Sequence, residues 1–239
     1  VTPRRVTVDV GNSSVGVGVW EHGRVSVRRE PDPLAAAALV ASHGEADVAL
    51  ISVAPARLNA LLGALDPGLA ARARVLDSRP EDLAEPALLS SGGADRIANA
   101  LAVRPGPAIV VDAGTAVTVD VIDGAGRFRG GWIAAGPEAA ARGLAQQAAQ
   151  LPTAVGQPVE LRPGVETASA LSAGLWGQAV GGVDKLVDLA RAALRPERNI
   201  RLVATGGWGA LWAADSVHTG IECDASLVHR GIARWAGWR

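Results

Sequence analysis

Two stretches of this chain repeat one another. VTVDVGNSSVGVGVWEHGRVSV, from Val6 to Val27, and IVVDAGTAVTVDVIDGAGRFRGGWI, from Ile109 to Ile133, share one plan: a β-branched run into Asp-x-Gly, a small polar residue, a second alternating run, a glycine-bearing turn and a third strand. Aligned on Asp9 and Asp112, the copies lie 103 residues apart, close to half of the 239. Like hairpins at half-length spacing predict two matching halves, each with its own sheet.

The segments between and after the hairpins are alanine-rich and mostly free of interior proline. They predict helices over Pro33 to His43, Ala94 to Val103, Pro137 to Gln150, Thr167 to Leu194 and Ala225 to Trp235. Strands return at VALISVA, Val48 to Ala54, and at IRLVATGG, Ile200 to Gly207. The plan is three strands, helix, strand, helix, twice over, which is an α/β fold. RPGP at Arg104 to Pro107 stops the preceding helix and is the expected hinge, dividing the chain into 1–106 and 107–239.

Composition removes several classes of function. The formal net charge is -1, so no basic stripe for nucleic acid is expected. Cys223 is the single cysteine, and no stretch approaches the length of apolar residues that spans a bilayer. The opening VTPRRVTVDV runs into a strand without an apolar secretory segment, so the expected location is the cytoplasm. Lys185 is the only lysine, which excludes a GxxxxGK[ST] phosphate loop and a protein-kinase strand lysine. His22, His43, His218 and His229 show no metal-binding spacing and read as surface polar residues. Lys185, Asp184 and Asp188 read as a solvated helix face, and Trp208 and Trp212 as core or subunit contacts at i, i+4 spacing.

Asp-x-Gly at a strand end points to phosphate chemistry. Glycine lets the backbone approach closely, and the turn's N-H groups converge on anionic oxygens. Asp9 would hold Mg2+ through water, while Asn12, Ser13 and Ser14 donate to phosphates. A lone Asp-x-Gly is usually an ordinary turn; two at repeat spacing make a clamp. ATGG, Ala204 to Gly207, closes a strand and opens a helix, a setting suited to adenosine. In SGGADRIANAL, Ser91 to Leu101, Asp95 and Arg96 open a helix, where an acidic residue also serves the helix dipole. This layout resembles the duplicated ribonuclease-H-like domains of the superfamily of sugar kinases, actin and chaperone ATPases, arranged around a central nucleotide cleft.

In order, the chain reads DVGNS, ISVAP, GADRIANA, VVDAGTAVTVD, GGWIAAG, LPTA, ETASALSAG and ATGG. The series resembles the type III pantothenate kinase family from end to end. The resemblance implies an ATP-dependent kinase that phosphorylates pantothenate to 4'-phosphopantothenate, the first step of coenzyme A biosynthesis. It implies Asp95 as general base, and Gly93, Ala94, Arg96 and Thr167 as substrate-binding residues, with Arg96 on the pantothenate carboxylate. The ATP site would comprise Asp9, Val10, Gly11, Asn12, Ser13, Ser14, Val15, Gly16, Thr115, Gly206 and Gly207, with Mg2+ accompanying ATP. Asp112 would hold a monovalent cation, K+ or NH4+, and the enzyme would be a homodimer. The family's tyrosine ahead of Gly-x-Asp-Arg has no aromatic counterpart in EDLAEPALLSSGG, Glu81 to Gly93. A kinase of another small hydroxyl-bearing metabolite and a non-catalytic regulatory paralogue therefore stand as alternatives.

Overall fold

The computed structural model describes residues 4–77, 83, 93–148, 150–152 and 159–238. These form two compact units: Val1–Pro105 with Gly126–Phe128 and Ser226–Arg239, and Gly106–Ala125 with Arg129–Ala225.

In the first unit, β1 (Arg5–Val10), β2 (Val15–Glu21), β3 (Arg24–Glu30), β4 (Asp47–Ser52) and β5 (Arg74–Val75) form one sheet in the order β3-β2-β1-β4-β5. β1 runs antiparallel to β2 and parallel to β4. The period-two pattern of β1 and β2 decides what each face packs against. Val6, Val8, Val10, Val15 and Val17 are fully buried under α1 (Pro33–Ala41), α2 (Pro55–Ala64) and α3 (Pro67–Arg72), where Ala36, Val40, Leu61 and Leu69 meet them. β4 has apolar residues on both faces, as a central parallel strand requires. Its Ala49 and Ile51 face the other way, onto Ala94 and Ala98 of α4 (Ala94–Val103) and Val228 and Ile232 of α8 (Leu227–Trp235). Asp32 and Asp66 accept from Leu34 N and Leu69 N, and a proline follows each, so α1 and α3 begin where a cap and a preset φ coincide.

The second unit repeats this plan. β6 (Ala108–Ala113), β7 (Ala116–Ile122), β8 (Phe128–Ala135), β9 (Arg201–Thr205) and β10 (Ile221–Cys223) are ordered β10-β9-β6-β7-β8, the same order strand for strand. β6 is antiparallel to β7 and parallel to β9. The β6–β7 turn is one residue shorter: Ala113 pairs with Val117, whereas Val10 pairs with Val15. The core gathers Ile109, Val111, Val119 and Val121 against Trp176, Val180, Val183 and Val187 of the 27-residue α6 (Thr167–Ala193), with α5 (Pro137–Gln147) beside it. Trp212 of α7 (Gly209–Asp215) is a core residue, and Trp208 packs its ring 5.7 Å from that of Trp176.

Asp184 departs from the solvated face read from sequence. It is buried and accepts from Trp212 Nε1, Ser216 Oγ and Val217 N, so it anchors the end of α7 while Lys185 and Asp188 stay exposed. His229 also departs from the surface reading, since it is fully buried. The division into 1–106 and 107–239 differs from the observed grouping too: the helix predicted over Ala225 to Trp235 forms as α8, but it packs in the first unit. Its Gly231 is the reason. A Cβ there would overlap the carbonyl of Ala98, so α4 and α8 touch backbone to backbone, and Arg234 Nη1 donates to the Leu101 and Arg104 carbonyls at the end of α4.

Two measurements test this packing. Gly231→Ala should destabilise the first unit by about 1–3 kcal/mol, the usual penalty for overpacking, read as a lower urea midpoint. Burial, reinforced by the charge of Arg29, pushes the His229 imidazole down to about 3. The unfolded chain, with its histidine near the ordinary ~6.5, therefore takes up a proton that the folded chain refuses. The stability this neutral group contributes is intact above about pH 6.5 and is lost progressively as pH falls toward about 3, at up to ~1.4 kcal/mol per pH unit. Urea unfolding at about pH 7 and about pH 5 should show that slope, and His229→Leu should flatten it.

Candidate active site

In the first unit, Asp9 is the penultimate residue of β1 and shares the α4/α8 face with Thr7, Ala49 and Ile51. After Val10 the chain turns, and Gly11 N donates to Ser14 O at 3.0 Å, leaving Asn12 and Ser13 at the surface. Gly11 is tightly placed, since a Cβ would stand 3.1 Å from the Ser14 carbonyl. Val15 and Gly16 are buried, and Gly16 faces Asp9 across the ladder. The last carbonyl of β1 is held from β4, because Val53 N donates to Val10 O at 3.2 Å.

Gly93 precedes α4 without a side-chain cap, and the helix's first turn carries Asp95, whose Oδ1 accepts from Arg96 N at 2.7 Å. A Cβ on Gly93 would press on Asp95 Oδ1 and lie 3.6 Å from Val53 Cγ1. Val53 thus joins two of the motifs. The Asp9 turn and the Gly-Ala-Asp-Arg helix start meet at one end of the sheet, where the parallel strands β1 and β4 finish. Open α/β sheets bind ligands at that end. Ala94 is buried, and Asp95 and Arg96 are half-buried.

Phe128 belongs to none of the phosphate- or substrate-type motifs of the sequence. It is buried, its N-H donates to Leu83 O at 2.7 Å, and the Arg96 guanidinium lies 5.3 Å from its ring centroid. This cation–π contact orients the arginine fork. The available signal was that Phe128 is the chain's one phenylalanine, placed directly before the Arg-Gly-Gly of β8. The segment lacking the family's tyrosine lies outside the described residues apart from Leu83 and Gly93, as do Thr153 and Ala154 of LPTA.

In the second unit, Asp112 occupies the position on β6 that Asp9 has on β1, and pairs with Thr205 of β9. Gly114 N donates to Ala116 O, and Thr115, exposed, accepts from Gly136 N; both bonds are 3.0 Å. Gly206 takes φ +82, and a Cβ there would stand 2.6 Å from Asp112 Oδ1 and 2.5 Å from Ala113 O. Asp112, Thr115 and Gly206 are thus brought together where β6 and β9 end. Trp208 N donates to Ala113 O at 2.8 Å, which fixes the exposed Gly207 between Gly206 and α7. Thr167 is exposed at the start of α6, after a capping box formed by Glu166 and Ser169. It belongs to the second unit, whereas Gly93 to Arg96 belong to the first.

Two sheets of identical strand order, each ending its paired parallel strands beside an Asp-x-Gly turn, define a duplicated ribonuclease-H-like fold. Solved structures agree on the fold. A Campylobacter jejuni protein described as a Baf family transcriptional activator superposes with a TM-score of 0.64 at 22% identity, covering 97% of each chain. The activator of 2-hydroxyisocaproyl-CoA dehydratase from Clostridium difficile superposes at 0.53 with 11% identity, covering 98% of this chain and 94% of that one. A family profile described as type III pantothenate kinase matches residues 5–189. The type III pantothenate kinase of Parafrankia sp. (strain EAN1pec) is 35% identical over 232 residues, covering 88% of this chain and 89% of that protein. The chain belongs to the type III pantothenate kinase family, a family of phosphotransferases.

Gly206 gives a direct test of the second unit's geometry. Gly206→Ala should weaken nucleotide binding at least about tenfold, because the residue must leave its left-handed conformation or displace the Asp112 carboxylate. Titration calorimetry with Mg·ADP checks this.

Proposed function

We propose that this chain transfers the γ-phosphoryl group of ATP to pantothenate, giving 4'-phosphopantothenate and ADP, the first step of coenzyme A biosynthesis. The observation that carries the reading is the meeting of Asp-x-Gly-Asn-Ser and Gly-Ala-Asp-Arg at one end of the β1–β4 pair, in a chain of this family. Kinases of this kind use ATP with a divalent metal.

The residues divide the work. The Asp9 to Gly16 turn receives the phosphates, with Thr115, Gly206 and Gly207 contributing to the ATP site. Among the described residues no three or more His, Cys, Asp or Glu are grouped to hold a metal. A single carboxylate such as Asp9 fits Mg2+, which keeps several waters and binds largely through substrate phosphates. When bound, Mg2+ neutralises charge on the transferring group. Lys185 is exposed on α6, so the chain's contribution there comes from turn amides and carboxylates rather than from a lysine. We assign Asp112 to a monovalent cation, K+ or NH4+, and expect a homodimer as the working form.

Asp95 takes the proton of the acceptor hydroxyl as its oxygen forms the new bond to phosphorus and the bond to the β-phosphate oxygen breaks. The Arg96 N-H fixes Oδ1 of this carboxylate, which leaves the second oxygen to face the hydroxyl. Arg96 binds the pantothenate carboxylate with a fork already set over Phe128. Gly93 and Ala94 line the pocket through their backbone, and Thr167 contacts substrate.

Purified protein given Mg·ATP, K+ and pantothenate should release phosphopantothenate. Asp95→Asn should lower kcat by roughly 10²–10⁴-fold, the usual worth of a general base, with Mg·ATP affinity near wild type. Wild-type turnover of another alcohol but never of pantothenate would reassign the acceptor, and undiminished turnover by Asp95→Asn would remove the base.

A further inference from the structure

His229 is a buried group that the phosphoryl-transfer scheme leaves unused. It sits in the first turn of α8 with its ring against the face of β1 and β2 that carries Thr7 and Asp9. Nδ1 lies 3.0 Å from Thr7 Oγ1. That hydroxyl also accepts from Trp20 Nε1 at 3.1 Å and donates to Gly18 O at 3.2 Å. A threonine hydroxyl has one proton. With it given to Gly18, Thr7 accepts from the imidazole as well as from the indole, so Nδ1 carries the hydrogen and Nε2 is a bare acceptor.

Nε2 finds no hydrogen-bond partner among the described residues. Two glycines make the bed for the ring. A Cβ on Gly18 would stand 2.7 Å from Nδ1, and one on Gly16 would stand 3.0 Å from Nε2 and 3.7 Å from the Asp9 Cβ. The ring therefore runs along β2 with its bare nitrogen at the Gly16 end, beside the residue that faces Asp9 in the ladder. Arg29, opposite Gly16 on β3, adds its positive charge to burial in keeping the imidazole neutral, so the lone pair is present throughout the neutral range.

A lone pair and a carboxylate cannot bond each other, but one water donates to both. We propose that His229 is a positioning residue for the phosphate-binding turn: Thr7 pins its Nδ1, and its Nε2 accepts from a water that gives its other proton to the Asp9 carboxylate, setting that carboxylate's orientation toward Mg·ATP. The inference rests on the reading of Asp9 as a nucleotide-site residue. Gly16 and Gly18 are then required to admit the imidazole.

Two readouts on the full chain test it. In protein labelled with 15N-histidine, two-bond 1H–15N correlation spectra should show a protonated Nδ1 and an unprotonated Nε2, with the Nε2 resonance moving on addition of Mg·ADP. In steady-state kinetics, His229→Leu should raise KM for ATP about fivefold to tenfold, the worth of one hydrogen bond, and leave KM for pantothenate unchanged. His229→Gln, which keeps an acceptor, should stay within about threefold of wild type. A protonated Nε2, an Nε2 signal indifferent to bound Mg·ADP, or an unchanged KM for ATP in His229→Leu would each overturn the inference alone. A wild-type chain that binds no Mg·ADP would overturn the nucleotide reading of Asp9, and the inference with it. If His229→Leu fails to fold, the spectra of the unsubstituted chain decide.

Discussion

Parallel pairing beside an antiparallel hairpin is the constraint on which each half of this molecule depends. A parallel neighbour cannot be reached by a tight turn, so the chain must cross over through a helical segment before β4 or β9 can lie beside β1 or β6. Once it does, two strand ends finish at the same edge of the sheet, and whatever follows them is held close. In the first unit Val53 follows β4, bonds back to Val10 and lies against Gly93; in the second Gly206 follows β9 and lies against Asp112. Strand direction thus brings each Asp-x-Gly turn beside the segment that follows the neighbouring parallel strand.

Much of this was legible because it is local or periodic. Asp9 and Asp112, the valine alternation of both hairpins, and the helix starts at Ala94 and Thr167 are written in short windows, and they form where those windows place them. β5 and β10 were not legible, since two and three residues carry no period, and they exist only as edge partners of β4 and β9. α8 was recognisable as a helix, yet no pattern within it announces which core it enters. That is settled by Gly231 against Ala98, more than a hundred residues away. Asp184 and His229 were misread because composition treats polar side chains as solvated, whereas here tryptophan, serine and threonine partners drawn from distant segments satisfy most of their hydrogen bonds inside.

The two halves keep a common backbone and have parted in their polar wiring. Thr7 faces Gly18 across the first hairpin, and that bare position admits an imidazole from α8. At the corresponding pair of the second hairpin, Val110 faces Asp120, a fully buried carboxylate that accepts from Thr118 Oγ1. Gly131 passes so close to the Val119 carbonyl there that no side chain is tolerated. The shared frame thus holds a neutral imidazole behind one hairpin and a buried aspartate within the other. That asymmetry suits halves that no longer do the same job.

The placement of α8 has a consequence for biosynthesis. All five strands of the first sheet leave the ribosome early, but the face bearing Ala49 and Ile51 stays uncovered on its α8 side until Val228 and Ile232 are translated. The second unit, Gly106–Ala125 with Arg129–Ala225, has its whole sequence available before then. The half whose strands are made first is therefore completed only by the later-made α8, and until then Ala49 and Ile51 lack the cover of Val228 and Ile232.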